Sequence, residues 1–227
     1  MIKGFIFDVD GVIINTENIH FLAYKDVFKN YDYDLTAEDY KKYFSGKSIK
    51  GGVLALISEV QLPDSENQTK FIQTISEQKI SQTLKYFQQQ VTYYPDTIKF
   101  IQALDQGITL DNIGQVQKQP ILAMATGLEA AFFQYVLAKH NLKKLFSVLV
   151  TADDYEHSKP HPECYLQALK KMELTAEEVI GIEDSPSGIA ALNKANIFSI
   201  GLTNTHTEEE LNKAKIVTSS LLNLVKK

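Results

Sequence analysis

Six short apolar runs, each of strand length, set the limits on what this chain can fold into. They lie at Ile2–Phe7, Ile121–Ala125, Ser147–Thr151, Val179–Glu183, Ile197–Leu202 and Ile216-Val217. The last five alternate with helix-like segments, so consecutive strands must be joined by crossovers, and crossovers are right-handed. The expected architecture is therefore an α/β fold with a mainly parallel sheet and helices on both faces. The first run stands apart. Between residues 17 and 90 the texture turns to helical spacing rich in Lys, Gln and Glu, with breaks near Asn30–Asp34, Ser45-Gly46 and Leu62-Pro63-Asp64, which predicts about four helices. The stretch from Gln68 to Gln90 keeps Phe71, Ile72, Ile75, Ile80, Leu84 and Phe87 at helical spacing and reads as one long helix. The expected organisation is a core of residues 1–15 and 94–227 with a helical cap, residues 16–93, inserted after the first strand. The polar segment LDQGITLDNIGQVQKQP at 104–120 reads as a surface connection.

A chain of 227 residues with 44% hydrophobic side chains can bury a core without covalent staples. Its one cysteine, Cys164, excludes an internal disulfide and falls on the apolar face of an expected helix, where it would serve packing. The opening Ile2–Phe7 is too short and too quickly acidic for a signal peptide or a membrane span, which predicts a cytoplasmic protein with no membrane partner. A net charge of −5 without a long basic run argues against nucleic acid. A monomer is the default. All 23 basic residues are lysines, so an anionic ligand would be held by ammonium groups, hydroxyls and backbone amides, without a bidentate guanidinium.

Strand one ends in Asp8-Val9-Asp10-Gly11, and alternation puts Asp8 and Asp10 on one face, where two carboxylates repel unless a cation or a shared proton sits with them. In a parallel sheet the ligand crevice lies at the carboxyl ends of the strands. The later strands deliver Thr126-Gly127, Ser158-Lys159-Pro160 and Glu183-Asp184-Ser185 to that edge. Four carboxylates, a hydroxyl and a lysine would converge there. Hard oxygen donors of this kind suit Mg²⁺. Ser185-Pro186 also reads as a helix N-cap followed by proline at the first helical position.

In this order and spacing, DVDGVIINTE (8–17), ATG (125–127), TADDYEHSKPHPECY (151–165) and GIEDSPSGIAAL (181–192) resemble the haloacid dehalogenase superfamily, in particular its β-phosphoglucomutase-like subgroup of phosphatases and mutases. The resemblance implies that Asp8 is a nucleophile that becomes an aspartyl phosphate and that Asp10 is the general acid and base. It places Mg²⁺ on Asp8, the backbone carbonyl of Asp10 and Asp184, with Glu183 close by. It gives Thr126, the Gly127 amide and Lys159 the phosphoryl oxygens, and it turns Thr16, His20, Lys47 and Lys50 toward a substrate beneath the cap. FSGKS at 44–48 is not a Walker loop, because the position that needs glycine is Lys41. Where β-phosphoglucomutase has an arginine for the distal phosphate this chain has Ile49, with Lys47 and Lys50 as substitutes. That change, with Gly127-Leu128-Glu129-Ala130 after the second motif, points to a phosphatase of a small phosphorylated metabolite, a sugar phosphate foremost. The mutase is the alternative, and a non-catalytic metabolite binder of the same fold the second alternative. His140, His157, His161 and His206 show no ligand spacing and read as surface or loop residues.

Overall fold

A computed structural model describes residues 1–45, 47–111, 113–128 and 130–226. Gly46, at an expected helix break and in the FSGKS segment, and Glu129, in the stretch that favoured a phosphatase, lie outside the described residues. The chain divides into two compact units, Met1–Asn15 with Thr92–Lys227, and Thr16–Val91. In chain order the elements begin with β1 (Ile2–Phe7), β2 (Ile14–Asn15), α1 (Glu17–Lys29), α2 (Ala37–Tyr43), α3 (Ile49–Ile57) and α4 (Gln68–Gln89). They continue with β3 (Thr92–Tyr93), α5 (Pro95–Leu104), β4 (Thr109–Leu110), β5 (Gly114–Ala125), α6 (Ala130–Val136) and α7 (Leu142–Leu145). The last are β6 (Val148–Val150), α8 (Glu163–Met172), β7 (Val179–Glu183), α9 (Pro186–Lys194), β8 (Phe198–Leu202) and β9 (Ile216–Thr218).

The first unit is built on a seven-stranded sheet of order β4-β5-β1-β7-β8-β9, with β6 also paired to β5. All pairings are parallel except β4 with β5. Strand β1 is central, which explains its unbroken apolar run: a strand covered on both faces has no solvent side to mark with polar residues. Ile6 packs with Cys164, Tyr165 and Leu169 of α8 and Leu192 of α9. On the opposite face Phe5 meets Phe100 of α5 edge-on at 5.9 Å between ring centroids, and Phe7 meets Phe146 at 5.6 Å.

Segment 104–120 is not the irregular connection its polarity predicts. It contains β4 and the first half of β5, which form an antiparallel hairpin through Thr109↔Gln115 and Leu110↔Gly114. Strand β5 then joins β1, with a register shift between Ile2↔Val116 and Gly4↔Ile121 and a left-handed residue, Gln119 (φ 52°), inside the shift. Leu110 and Val116 bury here while the glutamines and lysine stay at the surface, so backbone pairing sets the strand with little side-chain patterning to announce it.

Among the described residues the second unit is four helices. Thr36 closes α2 with a capping box to Asp39, Ser48 caps α3 by accepting the Gly51 N–H, and Asn67 caps α4 by accepting the Lys70 N–H. Its core is aromatic: Tyr24 of α1 stacks on Phe44 at 4.1 Å, and a Cβ on Gly52 would overlap the Phe44 ring. Among the described residues no helix is long and apolar enough to cross a membrane.

Phe100 is fully buried, and Phe100→Ala removes the ring that covers Phe5. We expect a loss of about 3–5 kcal/mol, read as a lower urea midpoint at unchanged slope.

Candidate active site

Parallel pairing fixes which side chains meet. Phe7 is in register with Met124 of β5 and Ile182 of β7, so the residue after each strand emerges at one edge. The Asp8 N–H donates to Ile182 O at 2.9 Å, extending the ladder by one residue and holding Asp8 beside Glu183 and Asp184. Asp8, Glu183, Asp184 and Thr126 are all buried. The chain then turns at Gly11, whose φ of +78° favours glycine, and a Cβ there would overlap the Asp184 carboxylate. Asn204 Nδ2 donates to Gly11 O at 2.7 Å and ties down the turn.

Lys159 is the cation of the site. Its Nζ lies 2.5 Å from Asp8 Oδ1 and 2.7 Å from Glu183 Oε1, and 5.0 Å from the centre of the Tyr165 ring. Tyr165, fully buried, donates its hydroxyl to Glu183 Oε1 at 2.7 Å. Glu183 Oε2 accepts the backbone N–H of Asp184 and of Ser185 at 3.0 Å each and the Ser185 hydroxyl at 2.9 Å. Glu183 therefore has five donors, which outweigh the cost of burial and hold its carboxyl below the ordinary range. Asp8 has Lys159 but no such cluster of amides. Burial, opposed by Lys159 and reinforced by the Glu183 charge, pushes its carboxyl up to about 7. Asp184 is pushed up to about 8 by burial and then by the charges of Glu183 and Asp8. Asp10, half-buried, adds a smaller push of the same sign to both. Lys159 stays protonated because Asp8 and Glu183 more than offset its burial.

The donor set fits a hard divalent cation. One carboxylate oxygen from each of Asp8, Glu183 and Asp184 lies within 4.8 Å of the others, with the Lys159 ammonium, among the described residues, set against the three acids. Burial and mutual repulsion raise Asp8 and Asp184, and a divalent cation would oppose both effects. Two residues not singled out in the sequence also serve this edge. Tyr165 reads as an ordinary aromatic on the apolar face of α8, and Thr205, whose hydroxyl bonds the Asp184 carboxylate, lies in a polar loop after β8. His206 adjoins them, with Nδ1 2.9 Å from Asp184 O.

Thr126 stands at the end of β5, its hydroxyl accepting the Leu128 N–H at 3.2 Å. Gly127 is exposed, and a Cβ would meet nothing nearer than the Tyr155 hydroxyl at 4.0 Å, so sterics do not require glycine here. Ser185 caps α9 by accepting the Gly188 N–H, with Pro186 at the first position. In the helical unit Thr16 precedes α1 and is buried. His20 Nδ1 lies 3.1 Å from Lys79 Nζ; burial and that ammonium lower the imidazole to about 3, which leaves it neutral. Lys47 folds back to donate to Lys42 O at 2.8 Å, Lys50 is exposed in the first turn of α3, and Ile49 packs on the helical core. His140, His157 and His161 are exposed as expected and His206 is a half-buried loop residue, but two of them are not scattered. His157 and His161 converge on Glu163, which corrects the reading that they lack a ligand arrangement.

Residues 5–202 match the model of the haloacid dehalogenase-like hydrolases, and the chain belongs to that family. It is 29% identical to a phosphorylated carbohydrates phosphatase of Thermotoga maritima over 87% of this chain and 83% of the relative. It is 24% identical to the fructose-1-phosphate phosphatase YqaB of Escherichia coli, over 87% and 94%. In fold it is similar to CbbY from Rhodobacter sphaeroides in complex with phosphate (TM-score 0.74, 21% identity, 97% and 95% covered). It is likewise similar to β-phosphoglucomutase from Clostridium difficile (TM-score 0.72, 24% identity, 99% and 93% covered).

Tyr165→Phe removes one of the five donors to a buried carboxylate, and we expect a loss of about 1–3 kcal/mol in urea unfolding. A second expectation follows from the raised acids. Asp8 and Asp184 rise from an ordinary 3.8 to about 7 and about 8, so without metal the folded protein keeps protons that the unfolded chain has released. Their contribution to stability is present near pH 4 and falls as pH rises toward about 8. A divalent cation competes with those protons. The Tm gain from added Mg²⁺ should therefore be larger at pH 8 than at pH 6, as measured by differential scanning calorimetry; a pH-independent gain would contradict the assignment.

Proposed function

We propose that the protein is a Mg²⁺-dependent phosphatase of small phosphorylated metabolites, sugar phosphates foremost, working through a phosphoryl group carried on Asp8. The observation that carries this reading is the buried Asp8 carboxylate, held at the end of the central strand by Lys159 at 2.5 Å beside Glu183 and Asp184. In the first step an Asp8 oxygen attacks phosphorus as the P–O bond to the substrate alcohol breaks, and Asp10 gives its proton to that alkoxide. In the second, Asp10 takes a proton from water, whose oxygen attacks phosphorus and returns the Asp8 carboxylate and inorganic phosphate. Loose phosphoryl-transfer transition states need placement and charge neutralisation above all. Lys159, the Thr126 hydroxyl and the Gly127 amide are the groups we assign to the phosphoryl oxygens. Mg²⁺, on Asp8, Asp184 and the Asp10 carbonyl with Glu183 behind them, would neutralise charge on those oxygens. Glu183 is the structural acid of the set, since its five donors keep it ionised and hold Lys159 in place.

The relatives named for phosphatase activity on phosphorylated sugars support hydrolysis. The mutase reading needs a firm grip on the phosphate that does not react. Ile49 packs on the helical core and Lys47 is turned onto a backbone carbonyl, and both weigh against it. We read the helical unit, Thr16–Val91, as the cap that selects the substrate.

Phosphate release with Mg²⁺ from a panel of sugar phosphates tests the proposal, with β-glucose 1-phosphate and a trace of the 1,6-bisphosphate included and glucose 6-phosphate followed in parallel. Free phosphate without isomer is expected; isomer without phosphate would make the protein a mutase. Asp8→Asn should abolish turnover with the fold intact, and residual activity above a few per cent would sink the covalent route. Asp10→Asn should cost about 10²–10⁴ in kcat.

A further inference from the structure

The strap that delivers Lys159 carries a second group of metal-binding side chains, of different chemistry from the first. His157, His161 and Glu163 each offer one ligand atom, and these atoms lie within 4.8 Å of one another. His157 Nδ1 is 2.8 Å from Glu163 Oε2, His161 Nδ1 is 3.7 Å from the same oxygen, and the two imidazole centroids are 4.7 Å apart. Four donors about 2.0–2.1 Å from a tetrahedral Zn²⁺ lie about 3.3 Å from each other. The two separations from Glu163 Oε2, 2.8 and 3.7 Å, fall on either side of that value and all three ligand atoms lie within 4.8 Å, so rotations of exposed side chains would close the set.

The carboxylate is already fastened. Glu163 is the first residue of α8, and its two oxygens accept the backbone N–H groups of Glu156 at 3.1 Å and His157 at 3.0 Å. A hydrogen bond between His157 and Glu163 alone would explain the 2.8 Å contact, but it would not bring the His161 imidazole onto the same oxygen and against the same ring. Both histidine side chains are at least half exposed, 64% and 50%, so an ion can enter from solvent and keep water at its remaining position.

We propose that His157, His161 and Glu163 form a site for one borderline divalent ion of the Zn²⁺ class, distinct from the all-oxygen cluster of Asp8, Glu183 and Asp184. Two imidazole nitrogens and one carboxylate suit such an ion, whereas Mg²⁺ prefers oxygen and near-octahedral geometry. The three ligands bracket Lys159 in the chain, two residues before it and two and four after. An ion bound there ties the two ends of the strap together and limits its motion.

Zn²⁺ is the probe, titrated against a chromophoric chelator into the full chain with Mg²⁺ in large excess to load the carboxylate cluster. One equivalent of Zn²⁺ should bind and survive the excess of Mg²⁺. His157→Ala and His161→Ala should each weaken it more than about tenfold, since loss of even an outer-shell partner costs 10–100-fold, while Asp8→Asn should leave it unchanged. Both histidines are exposed, so these variants should fold, and far-ultraviolet circular dichroism checks that they do. Displacement of all Zn²⁺ by Mg²⁺, or equal affinity in the His157→Ala/His161→Ala double variant, would overturn the site. Because no substrate is present, failure of the phosphatase reading would not alter either result.

Discussion

One lysine ammonium set between two buried carboxylates is the interaction on which this active edge depends. Asp8 and Glu183 sit at the ends of adjacent parallel strands, where the ladder forces them close, and their repulsion in a low-dielectric setting has to be offset there. Lys159 reaches both from a different part of the sheet, after β6, and is itself partly buried. Its ammonium lies over the Tyr165 ring, so the same aromatic that donates to Glu183 also faces the cation. An arginine fork would need two parallel acceptors in one plane, whereas the oxygens here come from two different residues at different strand ends.

The acids at this edge share a neighbourhood but are pushed in opposite directions, and the difference lies in their hydrogen bonds. Glu183 draws on the turn that leads into α9, where the Asp184 and Ser185 N–H groups and the capping Ser185 hydroxyl point at its Oε2, and a Cβ on Gly188 would overlap its carboxylate. That helix start must come close, and Gly188 lets it. Asp8 and Asp184 lack such a nest and ionise only against opposition. One acid serves as a fixed counter-charge while the others remain responsive to a cation, which is the division of labour that paired carboxylates acquire from unequal surroundings.

How much of this was readable from the chain follows from where each signal is generated. Strands β1 and β7 are buried on both faces, so their apolar runs announce them, and the acids that follow mark the strand ends. The β4–β5 hairpin reads as loop because polar residues dominate the stretch, with Leu110, Val116 and Pro120 its buried positions before Ile121, and backbone pairing leaves no compositional trace. Tyr165 was hidden for the opposite reason: its ring satisfies the apolar face of α8, and nothing in the sequence shows that its hydroxyl ends on Glu183. The histidines of the Lys159 strap escaped because spacing rules assume a helix or strand. Residues 157–162 are neither, and the ligands meet through a turn held by the His161 N–H to Ser158 O bond at 3.0 Å.

The two clusters of metal-binding groups are kept apart by donor type rather than by distance along the chain, for Lys159 belongs to one and is flanked by the other. Asp8, Glu183 and Asp184 present oxygen alone, deep in the sheet edge, where a small hard ion gains most from three acids and one competing ammonium. His157 and His161 present nitrogen at the surface, where hydration opposes capture of Mg²⁺ and imidazole favours a softer ion. A softer ion still prefers carboxylates to nothing, so it is the excess of Mg²⁺ over trace metals that would hold each ion to its own site. Under that excess the proposed chemistry at Asp8 would stay with the hard cation, and an ion on the strap would act on Lys159 only through the backbone they share.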